Sequence, residues 1–300
     1  MVNGLIHKTV LLKESIQGLD IHKGDIYLDG TLGSAGHAEY ALELTSGDLK
    51  VIGLDRDTEA LERSKKRLSN YKDVILKESS YRDLDLVLDE LNIPKVNRIM
   101  LDIGLSSDQF ETSGRGFTFK NDEPLLMTFK KDPKPDDITA HLIVNTWAEE
   151  NIADVIYGYG EEKYSRRIAR AIVNYRKKKT IETTFELVEI ISQSVPMFYR
   201  KGRIHPATRT FQALRIAVND ELNALKEGLA NGFEKLESKG RIAVISFHSL
   251  EDRIVKIFNK EKEDIGEGKI ITKRPITPSE EELKDNPRSR SAKLRILEKI

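Results

Sequence analysis

Cysteine is absent from this sequence, which excludes disulfide bonds, thiolate zinc sites and a cysteine nucleophile. Long apolar runs are absent as well: no stretch approaches the ~18 apolar residues of a membrane span. A secretion signal needs an apolar core, and none precedes Lys13 and Glu14. We therefore expect a cytoplasmic protein that neither enters nor crosses a membrane.

An excess of either charge is also missing. Lys and Arg number 49, and Asp and Glu also number 49, so the formal net charge is zero. Composition therefore neither favours nor excludes a polyanionic partner, and any nucleic-acid signal has to be local. With 300 residues, the chain can bury a sizeable core in one large domain or two smaller ones.

The sequence does contain an alternation of short apolar runs and helical segments. It predicts buried strands near residues 26–29, 51–55, 74–76, 98–103 and 241–246, with helices at 34–44, 58–68 and 84–91. Parallel strands with right-handed helical crossovers produce this alternation. Segments 269–273 and 293–297 are typical of an antiparallel edge pair. We predict an α/β fold with a Rossmann-like, doubly wound sheet.

The alternation breaks between the strands at 98–103 and 241–246. A Gly- and Pro-rich loop at 114–135 precedes helical periodicity at 138–175 and 185–195, and a further helix is predicted from about residue 211 to 236. A single crossover needs far fewer residues. We predict a discontinuous sheet domain of residues 1–110 and 206–300, with an inserted, mainly helical domain of residues 111–205.

Glycines and acids at the predicted strand ends indicate a ligand site. Gly30, Gly33 and Gly36 surround the turn after the first strand, and Asp55 ends the second strand 22 residues after Gly33. Parallel sheets bind ligands beyond the carboxyl ends of their strands, where an acid can accept hydrogen bonds from both ribose hydroxyls. Asp102 ends a third strand. Together these positions predict a ligand that contains adenosine.

Two ligands that contain adenosine are candidates for this site. A nicotinamide dinucleotide is bound by G-x-G-x-x-G, which brings backbone amides against its pyrophosphate, and this turn lacks that spacing. S-adenosylmethionine carries no phosphate, so a looser glycine turn is enough. The pattern favours a methyltransferase, and an NAD-dependent oxidoreductase stays an alternative. Taken singly, the glycines also fit simple turns and Asp55 fits a helix cap.

Longer blocks of sequence resemble one family. They are residues 7–14, 29–33 with Gly36 and His37, 54–57, 101–109, 115–119, 159–162, 166–172, 205–215 and 246–253. These blocks run nearly end to end and resemble bacterial methyltransferases that modify the exocyclic N4 amine of a cytosine in small-subunit (16S) ribosomal RNA. The resemblance implies a class I methyltransferase sheet, S-adenosylmethionine as cofactor and an inserted domain that recognises RNA.

The resemblance also implies site residues. With the turn glycine, the predicted cofactor site is Gly33, Ala35, Gly36, His37, Asp55, Tyr81, Asp102 and Gln109. The family usually has phenylalanine at 81 and glycine at both 35 and 36, and we expect binding to survive both differences. It usually also has an acid at 126 and an arginine at 128, where this chain has Leu126 and Thr128. A methyltransferase-like RNA-binding protein without turnover is therefore a second alternative.

Methylation of a cytosine amine makes particular demands on a site. The nitrogen lone pair is delocalised into the ring, so positioning is most of the catalysis. The base must leave its stack and the amine must lose a proton, which requires hydrogen-bond acceptors and an apolar slot. The catalytic candidates are Asp102, Ser106, Ser107 and Phe110. Serines at strand ends also commonly satisfy turns, and the identity of the proton acceptor stays open.

Local clusters of Arg and Lys fit a partner with a phosphate backbone. They lie at 166–179, 200–209 and 288–293. Neighbouring acids such as Glu161, Glu162 and Glu182 fit a solvated helix face as well, and the family resemblance is what favours RNA. The expected partner is small-subunit ribosomal RNA, free or assembled into a subunit. The oligomeric state stays open, a homodimer included.

Overall fold

The computed structural model of the chain describes residues 8–104, 113–134 and 136–300. Within these ranges the chain folds into two compact units. One contains the described residues up to Gly104 together with Leu222–Ile300, and the other contains those within Leu105–Glu221.

The first unit is built on a seven-stranded sheet. Its strands are β1 (Ile26–Asp29), β2 (Lys50–Asp55), β3 (Val74–Glu78), β4 (Val96–Asp102), β5 (Leu236–Ser246), β6 (Gly268–Ile270) and β7 (Lys293–Lys299). Their order is β3-β2-β1-β4-β5-β7-β6. Strands β1 to β5 run parallel, and β7 is antiparallel to both β5 and β6. Dinucleotide-binding sheets have the order 3-2-1-4-5-6; this sheet shares the β3-β2-β1-β4-β5 part of that order and differs by its antiparallel β7.

Helices connect the strands and form most of the second unit. In chain order the described helices are α1 (Leu12–Leu19), α2 (Gly36–Leu44), α3 (Thr58–Arg67), α4 (Leu84–Glu90), α5 (Ala140–Thr146), α6 (Glu149–Gly160), α7 (Ser165–Arg176), α8 (Thr184–Ser194), α9 (Met197–Arg200), α10 (Thr208–Asn219), α11 (Glu221–Lys235), α12 (Ser249–Asp264) and α13 (Glu280–Asp285). Short 3₁₀ helices lie at Tyr81–Asp83 and Pro287–Ser291. Among the described residues, no helix combines the length and apolar character needed to cross a membrane.

Successive strand residues point to opposite faces of the sheet, and the apolar core divides accordingly. Tyr27, Val51 and Met100 belong to the cluster that includes α1 and α2. Their neighbours Leu28, Ile52 and Ile99 belong to the cluster that includes α4 and α11. Because both faces are covered, the central strands read as continuous apolar runs. The predicted α/β class, the parallel strands and the antiparallel pair near the C-terminus are confirmed.

The second unit has its own apolar core, formed from residues of α5 to α8 and α10. Helix α10 packs against α6 within this unit. The boundaries between the compact units fall at 104/105 and 221/222, whereas the sequence placed the domain boundaries at 110/111 and 205/206. The predicted division into a cofactor domain and an RNA-recognition domain stays a prediction.

The prediction of one helix from about residue 211 to 236 is wrong. Asp220 has a left-handed backbone, with φ 51°, and separates α10 from α11. The side-chain amide of Asn219 donates to the carbonyl oxygens of Met127 at 2.7 Å and Arg215 at 2.9 Å, which holds the end of α10 in place. Asp tolerates the left-handed region better than most residues, and the apolar periodicity does not report such a break.

Candidate functional site

Three acidic side chains lie at the carboxyl ends of three adjacent strands. Asp29 ends β1 and pairs in register with Gly53 of β2 and Met100 of β4. Asp55 and Asp102 each lie two residues further along β2 and β4. Parallel strands end at the same edge of a sheet, which is where such folds bind ligands. Asp29 was not predicted as a site residue, although its pattern, an apolar run that ends in an acid, is that of Asp55 and Asp102.

The turn after β1 is hydrogen-bonded to both neighbouring strands. The backbone N–H of Gly30 donates to the carbonyl oxygen of Met100 at 2.9 Å, and that of Leu32 donates to Leu54 at 2.9 Å. Thr31 accepts a bond at Oγ1 from the N–H of Asp102 at 2.6 Å. The turn therefore sits across the ends of β4, β1 and β2 in a fixed position, and Thr31 is a second residue that sequence reasoning missed.

Asp55 holds the far end of this turn. Its Oδ2 accepts from the N–H of Gly33 at 2.8 Å, and its Oδ1 accepts from the N–H of Asp57 at 2.9 Å. Helix α3 is capped by Asp57 instead, whose Oδ1 accepts from the N–H of Glu59 at 2.9 Å. The alternative in which Asp55 only caps this helix is therefore wrong. Each carboxylate oxygen has a second lone pair that a ribose hydroxyl can use.

Burial dominates the electrostatics of the three acids. It raises the pKa of Asp29 to about 7, against hydrogen bonds from Thr31 and Tyr27 that lower it. Burial, with the neighbouring Asp29 carboxylate, raises the pKa of Asp102 to about 7. Oδ1 of Asp102 is buried and has no hydrogen-bond partner among the described residues. This edge of the sheet thus holds several buried carboxylates whose negative charge is only partly balanced by hydrogen bonds.

The first residues of α2 follow closely after the turn. Ala35 has a left-handed backbone, with φ 60° and ψ 27°, a conformation that favours glycine. A Cβ at Gly36 would lie 1.8 Å from Oγ1 of Thr9, so the N-terminal segment occupies that space. Nε2 of buried His37 donates to the carbonyl oxygen of Val10 at 3.2 Å. Gly36 and His37, two of the predicted site residues, therefore also contact the chain before α1.

Tyr81 follows β3 and packs on the turn. A Cβ built at Gly30 would lie 2.8 Å from Cβ of Tyr81, and one built at Gly228 would lie 2.6 Å from its Cδ2. Glycines in the turn and in α11 therefore make room for this aromatic residue. Among the predicted site residues, the structure brings together Gly33, Ala35, Gly36, His37, Asp55, Tyr81 and Asp102. The remaining four, Ser106, Ser107, Gln109 and Phe110, lie outside the described residues.

The sequence profile of the MraW methylase family matches residues 4–300. The chain belongs to this family. The ribosomal RNA small subunit methyltransferase H of Brevibacillus brevis is 45% identical over 314 residues, covering 98% of both proteins. Proteins of the same name from Sulfurihydrogenibium sp. and Clostridium botulinum strain Kyoto are 46% and 44% identical, covering 98% of this chain and 99% of each relative. The predicted family is confirmed.

Solved structures add little to this assignment. An rRNA methylase from Streptococcus thermophilus is 12% identical, with a TM-score of 0.45 and 98% of both chains covered. At this level of similarity the fold class of this chain rests on its own strand order and its family membership.

Proposed function

We propose that the chain transfers a methyl group from S-adenosylmethionine to the exocyclic N4 amine of a cytosine in small-subunit ribosomal RNA. Relatives named ribosomal RNA small subunit methyltransferase H match it over nearly its whole length. This activity places the protein in the cytoplasm, with small-subunit ribosomal RNA as its partner.

The observation that carries the proposal is the buried Oδ1 of Asp102, which has no hydrogen-bond partner among the described residues and lies near the carboxylate of Asp29. A buried carboxylate oxygen without a partner is unfavourable, and a cationic ligand compensates it. S-adenosylmethionine has a cationic sulfur and an ammonium group, and it has no phosphate. A nicotinamide dinucleotide would instead bring its pyrophosphate towards these acids, which like-charge repulsion opposes. The site therefore fits the first cofactor and not the second.

The site residues that the structure describes have different roles in binding this cofactor. Asp55 accepts hydrogen bonds from the ribose hydroxyls, since both of its oxygens are already oriented by backbone amides. Tyr81 offers an apolar ring at the neighbouring strand end. Asp29 and Asp102 supply negative charge to the cationic part of the ligand. The turn at Gly33 lets the ligand lie close to the backbone.

When bound, S-adenosylmethionine supplies a methyl group on a cationic sulfur, and its transfer to the amine leaves a neutral thioether and one surplus proton. Asp102 is the described residue that best fits as acceptor of this proton, because its buried Oδ1 at the strand end has no other hydrogen-bond partner among the described residues. The protein's larger contribution is to position the amine, since a delocalised lone pair reacts only when it is well aligned.

Label transfer tests this function. Purified protein is incubated with S-adenosylmethionine carrying a labelled methyl group and with small ribosomal subunits from cells that lack the modification. Digestion of the RNA should yield labelled N4-methylcytidine. Free ribosomal RNA serves as the parallel substrate and shows whether the assembled subunit is required.

The alternatives give different results in the same samples. A binding-only protein would bind the cofactor and the subunit without transferring label. An NAD-dependent oxidoreductase would bind NADH in calorimetry and leave S-adenosylmethionine unbound. Either result would overturn the proposed function.

A further inference from the structure

The short helix α9 in the second unit presents apolar side chains to solvent. Met197 is 67% exposed and Phe198 is 70% exposed. Ile204, in the segment that follows, is 52% exposed. Single exposed apolar residues are ordinary on protein surfaces, whereas a group of them within eight positions indicates an interaction site.

The residue next to Phe198 is held firmly by the helical unit. The hydroxyl of Tyr199 donates to Oε2 of Glu162 at 2.5 Å, and Glu162 is fully buried. The Tyr199 ring contacts the Tyr164 ring edge to face, with centroids 4.9 Å apart. The guanidinium of Arg200 donates to the carbonyl oxygens of Val195 and Gln193, both at 3.2 Å. The helix is therefore fixed in place while Met197 and Phe198 remain outside the core.

Cations predominate in the sequence around α9. Residues 190–219 contain five Arg or Lys and no Asp or Glu, and residues 163–181 contain eight Arg or Lys and no Asp or Glu. The contact between Tyr164 and Tyr199 brings these two segments together, and Nζ of Lys163 lies 5.2 Å and 5.3 Å from the two ring centroids. In a chain whose total charge is zero, this concentration of cations is local to the helical unit.

Two cations that follow Phe198 in the chain are also available for a partner. Lys201 and Arg203 are exposed and form no ion pair within the part of the chain that the structure describes. Two other exposed cations of the unit, Lys179 and Arg170, are paired with acids, Glu186 and Glu149 respectively. An exposed aromatic ring with free cations close to it in the chain is the combination that binds single-stranded nucleic acid, through stacking on bases and contact with phosphates.

We propose that Met197, Phe198, Lys201 and Arg203, here called the α9 surface, bind an unpaired segment of the RNA substrate. Phe198 stacks on a base, and Lys201 and Arg203 contact nearby backbone phosphates. This inference rests on the proposed function and adds to it a surface that holds the RNA. An anionic membrane fits less well, because α9 has four residues and is too short for an interfacial amphipathic helix.

Binding measurements on the full-length protein test the surface. Phe198→Ala is compared with Tyr157→Ala, which removes an aromatic ring that is 65% exposed in α6 of the same unit. Phe198→Ala should weaken binding to unmodified small subunits about 5- to 100-fold and raise KM for them, with kcat and cofactor affinity unchanged. Tyr157→Ala should leave all of these values unchanged. Equal binding by the two variants would overturn the proposal.

A charge variant gives an independent result. Lys201→Gln with Arg203→Gln should weaken RNA binding and reduce the slope of log K against log salt by about 1 to 2. Lys65→Gln with Lys66→Gln, on the exposed face of α3 in the sheet unit, is the matched control and should keep the wild-type slope. A change of slope of the same size in both double variants would contradict a specific contact at α9.

Two further measurements test other partners for the α9 surface, a second copy of the chain and an anionic membrane. If sedimentation shows a wild-type dimer that Phe198→Ala converts to a monomer, or if only wild-type protein floats with anionic vesicles, the RNA assignment is overturned. Label transfer by wild-type protein is recorded alongside. Transfer without a Phe198 effect overturns the α9 surface alone, whereas a Phe198 effect on binding without any transfer overturns the proposed function alone.

Discussion

The backbone N–H of Gly33 donates to Oδ2 of Asp55 at 2.8 Å. Through this bond the turn after β1 and the end of β2 share one carboxylate, which also accepts from the N–H of Asp57 at 2.9 Å. Gly33 has φ +54°, and Oγ of Ser64 in α3 donates to its carbonyl oxygen at 2.8 Å. The turn is therefore fixed before any ligand arrives, which reduces the entropy that binding must overcome.

Asp55→Ala should weaken S-adenosylmethionine binding by about 1–3 kcal/mol, because the ribose hydroxyls lose their acceptor. It should also lower the free energy of unfolding, since the N–H groups of Gly33 and Asp57 lose their partner. Calorimetric titration gives the first quantity and urea unfolding the second. Unchanged cofactor affinity would remove Asp55 from the site.

Asp57→Ala is the control for this change. It removes the N-cap of α3, which typically lowers stability by about 1 kcal/mol, and it removes no proposed cofactor contact. We expect cofactor affinity close to that of the wild type. If both variants lose the same affinity, the effect of Asp55 acts through the stability of the turn.

The pH dependence of stability should report the buried acids. In the folded chain Asp29 and Asp102 have pKa values of about 7, whereas the pKa of an Asp in the unfolded chain is about 3.9. Between these values the folded state binds more protons, so the free energy of unfolding falls as the pH rises from about 4 to 7. Without cofactor, the protein should be more stable at pH 5 than at pH 8. Asp102→Asn should flatten this profile, measured by urea unfolding at each pH.

Cofactor affinity should depend on pH in the opposite direction. A cationic ligand favours the ionised forms of Asp29 and Asp102, so S-adenosylmethionine should bind more tightly at pH 8 than at pH 6. S-adenosylhomocysteine keeps the ammonium group but has a neutral sulfur, and its affinity should change less. Titrations in buffers with different ionisation enthalpies count the protons released. The same pH dependence for both ligands would show that the sulfonium does not interact with these acids.

Much of the sheet could be predicted from the sequence. Strands β1, β2 and β4 are buried on both faces, so their apolar runs are continuous and easily recognised. The two acids at the ends of β2 and β4 followed from the same pattern. The break at Asp220 could not be predicted, because α10 and α11 have the same helical periodicity on either side of it and only the φ of one residue differs.

The connections within the site were harder to predict. Thr31 resembles any turn residue, and only the pairing of β1 with β4 places its hydroxyl beside the N–H of Asp102. The raised pKa of Asp29 results from its burial and, to a smaller extent, from the Asp55 carboxylate. Both are properties of three strand ends that are far apart in sequence, which composition and spacing do not describe.

The start of α2 should be sensitive to one methyl group. A Cβ at Gly36 would lie 1.8 Å from Oγ1 and 3.0 Å from Cβ of Thr9, so Gly36→Ala should lower the free energy of unfolding by about 1–3 kcal/mol. Thr9→Ala removes the nearer atom and should restore part of the loss in the double variant. Unfolding measurements on the wild type, the two single variants and the double variant give the coupling energy. Additive effects would contradict the contact between Gly36 and Thr9.

Two glycines of α11 should respond differently to the same substitution. A Cβ at Gly228 would lie 2.6 Å from Cδ2 and 3.0 Å from the carbonyl oxygen of Tyr81, whereas one at Gly232 would make ordinary contacts of 3.4–3.5 Å with Ile99, Ile242 and Leu84. Gly228→Ala should displace Tyr81 and weaken cofactor binding, measured by calorimetry. Gly232→Ala should leave binding unchanged and raise the free energy of unfolding by up to about 1 kcal/mol, since alanine favours a helix. Equal effects of the two variants on affinity would show that the position of Tyr81 does not matter for the cofactor.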